Sequence, residues 1–127
     1  MIGFVGNIEE LTLANDNFRK VVYTGQHAQL VLMSLLPSED IGMETHPTTD
    51  QFLRVEKGEG KVIMNGEEQL IKDGSAFIVP AGTEHNVINT SSENPLKLYT
   101  VYSPSHHKDG TVHKTKQDAS ADKEDHL

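Results

Sequence analysis

The chain predicts an antiparallel all-β fold, and three observations carry that prediction. Short runs rich in Val, Ile, Leu and Tyr are separated by turn residues roughly every eight to twelve positions. No run shows a sustained helical stripe, and an Asn-Gly pair at 65–66 stands between two of the apolar runs.

Residues 1–17 have a mixed pattern: Asn15-Asp16-Asn17 reads as a turn, and Ile8–Ala14 reads equally as a strand or a short helical turn. From Phe18 the punctuation is regular. FRKVVYT ends at Gly25, AQLVLMSLL is stopped by Pro37, and a polar Ser-Glu-Asp turn precedes Ile41. The next strand, QFLRVEK, alternates with Gln51, Leu53 and Val55 on one face and is closed by Gly58-Glu59-Gly60. KVIM and EEQLI flank Asn65-Gly66, the two-residue signature of a type I′ hairpin, which fixes their register. Asp73-Gly74 turns the chain into AFIV, and Pro80 to Thr83 is a tight connection that delivers His85 at the start of the following strand. Asn94-Pro95 makes one more turn before LKLYTVY, where Leu96, Leu98, Thr100 and Tyr102 share a face. About nine short strands joined by tight turns fit two facing sheets of a jelly roll or a small barrel better than an open sheet. Residues 1–113 are expected to form this single β domain with its N-terminal strands, and residues 114–127 a polar tail, disordered or weakly helical.

Composition narrows the function. A chain of 127 residues is enough for one domain. The formal charge of −8, with no basic stripe, argues against nucleic acid as a partner. The absence of cysteine excludes disulfides, thiolate metal sites and cysteine nucleophiles. The opening MIGFVGNIEE has neither a basic region nor a long apolar run, so no signal peptide is expected. The longest apolar stretch, residues 30–36, is interrupted by Ser34 and is far short of a membrane span. A soluble, cytoplasmic protein without a membrane partner is the expectation.

The chemistry concentrates in ETHPTTDQFLRVEKG, residues 44–58. Glu44 and His46 are two apart, so on an extended chain both side chains enter the same cavity. Pro47 keeps His46 out of the α region, as that spacing requires. Gln51 leads the next inward face and returns an amide carbonyl to the same place, and His85 would be a fourth ligand to one metal ion. Asp50, the competing oxygen donor, faces the other way as Gln51's neighbour.

At this point the residues resemble a family. Gly74-x5-Pro80-x-Gly82-x2-His85-x3-Asn89 matches the second cupin motif at every fixed position. The first cupin motif, two histidines one residue apart followed by a glutamate and a glycine, is matched in spacing but altered in residues. Glu44 stands for the first histidine, His46 matches the second, Gln51 stands for the glutamate, Gly58 matches the glycine, and Ser38 replaces the opening glycine. The span from about Phe18 to Tyr102 is similar to a small single-domain cupin, nearest to bacterial cupins labelled mannose-6-phosphate isomerase-like, including the HKTK stretch after the barrel. The resemblance implies a jelly-roll barrel holding a divalent metal, frequently in a homodimer, with a small-molecule ligand. The altered motif moves the anionic ligand but keeps a single carboxylate. Such a mixed N and O set suits manganese, iron, nickel or zinc.

Other polar residues have plainer roles. His106, His107 and His113 either fold back over the barrel mouth or, as tail histidines more commonly do, stay solvated or meet a second subunit. Tyr23, Tyr99 and Tyr102 either reach the cavity as proton donors or pack with wet hydroxyls. His27 reads as a loop residue. Arg54 lies on the face opposite Gln51 and reads as an outer-sheet or dimer-interface charge. No general base and no cationic phosphate anchor is identifiable in the cavity. Two functions follow: a metal-dependent enzyme with isomerase- or oxygenase-like chemistry, and a non-catalytic metal-dependent binding protein or sensor.

Overall fold

A computed structural model describes residues 3–122. Among them are nine strands, β1 (Arg19–Thr24), β2 (Gln29–Leu35), β3 (Asp50–Lys57), β4 (Glu59–Met64), β5 (Glu67–Lys72), β6 (Ala76–Val79), β7 (His85–Asn89), β8 (Leu96–Ser103) and β9 (Val112–His113), with two short helices, α1 (Ile8–Ala14) and α2 (Lys116–Ala121). A six-stranded sheet in the order β6-β3-β8-β2-β1-β9 faces a three-stranded sheet in the order β5-β4-β7, and every pairing is antiparallel. This is the all-β, jelly-roll arrangement that the alternating runs predict.

The alternation does the sorting. In β3, Gln51, Leu53 and Val55 are buried, while Asp50, Arg54 and Lys57 are exposed. Leu53 and Val55 join Val31, Met33, Leu35 and Leu98 of the large sheet and Val62 and Val87 of the small one in a single core. Asn65 and Gly66 both have positive φ, +48° and +83°, and the hairpin pairs Met64 with Glu67 directly. Asn89 seals the far end of the sandwich: its amide donates to the carbonyls of Leu35, Leu36 and Asn94 and accepts from the Ser91 N–H.

Two segments of irregular pattern become helices. At α1 the Asn7 side chain accepts from the Glu10 N–H, and Glu9 and Glu10 favour the positive end of the helix dipole. Lys97 of β8 ties the end of α1 down through the Asn15 carbonyl and the Asp16 carboxylate. At α2 the Thr115 hydroxyl accepts from the Asp118 N–H, Ala119 is buried in the core, and Lys116 bonds Asp40. The polar tail is therefore helical over Lys116–Ala121, and its last residues, 123–127, lie outside the described residues.

One local expectation needs correcting. Glu44 and His46 do not sit on a regular strand. The stretch between β2 and β3 makes only isolated bridges, Asp40 to Ile88 and Glu44 to His85. Gly42 at φ +106° bends this stretch, and Pro47 has no N–H to extend the ladder. No helix among the described residues is long and apolar enough to cross a membrane.

Candidate metal centre

The Glu44–His85 bridge brings together residues 41 positions apart. The two residues exchange both backbone hydrogen bonds, each at 2.9 Å, so their side chains rise from the same face. The Gly82 N–H donates to the His46 carbonyl at 2.8 Å and anchors the second residue of the pair to the same loop. Gly82 itself has φ +82°, a conformation that favours glycine.

The histidine tautomers follow from their partners. His85 Nδ1 lies 2.9 Å from the Thr83 carbonyl, which can only accept, so Nδ1 carries the hydrogen and Nε2 is the nitrogen left for a ligand. His46 is 4% exposed, and its Nε2 lies 3.3 Å from Glu44 Oε2. Burial first, then the charges of His106, His85 and Arg19, push its pKa down to about 3, so the ring is neutral at physiological pH. The His46 and His85 ring centroids are 5.1 Å apart.

Gln51 faces inward as its parity predicts, and on β8 it pairs with Tyr102, whose ring lies 5.9 Å from that of His46. Gln51 is 3% exposed, and its Nε2 donates to Thr100 Oγ1 at 3.0 Å. Its Oε1 is buried without a hydrogen-bond partner. Asp50 points outward as expected and accepts from the Ala81 N–H. Arg54 is likewise outside, against Glu56.

The sequence left His106 open between folding back over the barrel mouth and staying solvated, and the structure brings it to Glu44 and His46. The ligand atoms of Glu44, His46 and His106 all lie within 4.8 Å of one another, and the His46 and His106 rings are 4.1 Å apart. Tyr102 is inward and 2% exposed; it stacks on His106 at 5.6 Å, and its hydroxyl meets His107 Nε2 at 3.2 Å. His107 and His113 are buried rather than solvated. His113 has a structural role: Arg19 can only donate, so His113 Nδ1 accepts from it at 3.4 Å, and His113 Nε2 donates to Asp122 at 3.0 Å. Arg19 is the residue that sequence reasoning missed, 4% exposed, with its Nε buried and unpartnered. Its place opposite Met33, on the inward face of β1, was available in the alternation of FRKVVYT. A surface cleft lined by Lys57, Lys72, Asp73 and Pro95 lies at the other end of β3 from Gln51 and includes none of these residues.

A jelly roll whose inward loops bring histidines and a carboxylate together defines a class of protein. A cupin domain model matches residues 31–102, and the chain belongs to the cupin family. It is 52% identical to the YrkC protein of Bacillus subtilis over 124 residues, 93% of this chain and 66% of that one. It is 44% identical to the L612 protein of Acanthamoeba polyphaga mimivirus over 113 residues, 86% of this chain and 70% of that one. The chain thus spans 66% and 70% of the length of these two relatives. The crystal structure of BH2720 from Bacillus halodurans superposes with a TM-score of 0.91 at 49% identity, covering 94% of both chains.

Proposed function

We propose that this cupin is a metal-dependent enzyme acting on a small polar molecule with isomerase- or oxygenase-like chemistry. Glu44, His46, Gln51 and His85 would hold one divalent ion, manganese, iron, nickel or zinc. The observations that carry this reading are Gln51 Oε1, a buried inward acceptor with no hydrogen-bond partner, and the convergence of Glu44 and His46 with a further imidazole within 4.8 Å. Leaving such an acceptor unsatisfied costs about 1–3 kcal/mol, and a cation removes that cost while using the lone pairs of the two rings. The donor set fits a borderline first-row ion better than calcium or magnesium, which prefer all-oxygen surroundings.

When bound, such an ion supplies Lewis acidity to a carbonyl or enediolate oxygen. The remaining work belongs to the chain. The Tyr102 hydroxyl and His107 Nε2 are hydrogen-bonded at 3.2 Å, and the Tyr102 ring lies 5.9 Å from that of His46. This non-ligand pair is placed to give or accept a proton beside the site, which favours an enzyme over a binding protein or sensor. The buried Arg19 charge favours a ligand that carries negative charge.

The same reading has the protein cytoplasmic and a homodimer. Ile78, Phe52, Val101, Leu30 and Tyr23 form a row across five strands on the outer face of the large sheet, with Ile78 60% exposed. A second copy is the occupant that suits this face, and Phe52→Glu should convert a dimer to a monomer in sedimentation.

The central test is metal content. Protein purified without added metal should hold close to one equivalent by elemental analysis, and His85→Ala should lose it. Unchanged content in His85→Ala would overturn the ligand assignment. Turnover on a panel of sugars, diketones and keto acids, lost in Tyr102→Phe with metal retained, would separate the enzyme from the sensor.

A further inference from the structure

The residues after the barrel do more than cover it. Residues 104–107 follow β8, and Gln29, the first residue of β2, holds their end in place through His106 and His107. Gln29 is 0% exposed and uses both ends of its amide. Its Oε1 accepts from the His106 N–H at 3.2 Å and the His107 N–H at 2.9 Å. Its Nε2 donates to the His107 carbonyl at 2.7 Å and to Thr24 Oγ1 at 2.9 Å. Three backbone groups of two consecutive residues are thus satisfied by one buried side chain, which fixes the direction in which the His106 side chain leaves the backbone.

That direction leads into the metal centre. The His106 ring lies 4.1 Å from the His46 ring and 4.8 Å from the His107 ring, and Tyr102 stacks beside it. Its ligand atom shares a 4.8 Å cluster with those of Glu44 and His46. Resting on the metal-binding reading above, we propose that His106 is a further metal ligand, supplied from outside the residues matched by the cupin domain, and that Gln29 is its positioning residue. A ligand on an unrestrained segment pays its ordering entropy when the ion binds; here Gln29 has already ordered the segment, so affinity depends on a residue that never touches the ion. The altered first motif gives this a physical motive. Glutamine at position 51 is a weaker donor than a carboxylate, and an additional imidazole makes up the deficit.

The test uses the whole chain and Co²⁺, whose visible absorption reports its ligands. Wild type should bind one Co²⁺. His106→Phe keeps an aromatic ring against Tyr102 but removes the nitrogen; it should bind Co²⁺ at least ~10-fold more weakly, with a changed visible spectrum. Gln29→Leu should weaken binding by roughly 10-fold and leave the His106 and His107 amides open to hydrogen exchange. Gln29→Glu keeps the acceptor for both N–H groups and should recover part of the affinity. Wild-type binding with an identical spectrum and affinity in His106→Phe would overturn the ligand proposal alone. Failure of wild type to bind Co²⁺ would overturn the metal reading and this proposal with it. Should His106→Phe fail to fold, His106→Gln in the same titration answers the same question.

Discussion

Replacing Gln51 by Leu separates what that amide does for the fold from what it does for the metal. Leu is similar in size and apolar, and the position is 3% exposed on an inward strand face. The change removes a buried acceptor that has no partner, recovering about 1–3 kcal/mol of desolvation cost, and loses one bond to Thr100, worth about 1 kcal/mol. Thr100, itself 0% exposed, loses that neighbour, which offsets part of the gain. The metal-free variant should therefore match wild type to within about 1 kcal/mol in urea unfolding. With saturating Mn²⁺ the two should diverge. A hundredfold loss of affinity subtracts about 2.7 kcal/mol from the stabilisation that the ion confers. Paired urea titrations with chelator and with Mn²⁺ measure both quantities. A variant that loses several kcal/mol without metal, and is stabilised by Mn²⁺ as much as wild type, would refute the reasoning: Gln51 would then serve packing and not the ion.

Two further predictions concern the frame around the site. A Cβ added at Gly60 would stand 2.3 Å from the Ile88 carbonyl oxygen, backbone that the β4–β7 ladder holds in place, so Gly60→Ala should cost several kcal/mol in chemical denaturation, about as much as a large cavity mutation. A cost below about 1 kcal/mol would mean that the small sheet gives way easily. The Asp40 carboxyl is held below its ordinary 3.8 by the Lys116 ammonium and then by the Asn86 amide. A depressed carboxyl contributes stability that is present above 3.8 and lost as pH falls through its lowered value. Protection factors of the α2 amides, which correct for the intrinsic pH dependence of exchange, should accordingly hold at neutral pH and fall only below about pH 4, and Asp40→Asn should show the lower protection at pH 7; an Asp40 titration at or above 3.8 by NMR would contradict this.

The sequence by itself determined the strands, the hairpin at Asn65-Gly66 and the inward placement of Gln51, because these depend on period-two alternation and on turn residues, both local properties of the chain. It also indicated which of Asp50, Gln51 and Arg54 face inward, since parity along a strand is decided by neighbours. The tail and Ile8–Ala14 were ambiguous for the same reason: their helices depend on anchors, Lys97 to Asp16 and Asp40 to Lys116, that join residues 81 and 76 positions apart. Only the tertiary structure decided that His106 comes to lie beside Glu44 and His46. That outcome needs β2 to pair with β8 in the register that sets Gln29 opposite Tyr102, so that a glutamine from one strand meets the chain leaving the other. Nothing within a few residues of either position encodes this meeting, because its driving force is the satisfaction of buried backbone groups that adjoin only after both sheets have closed.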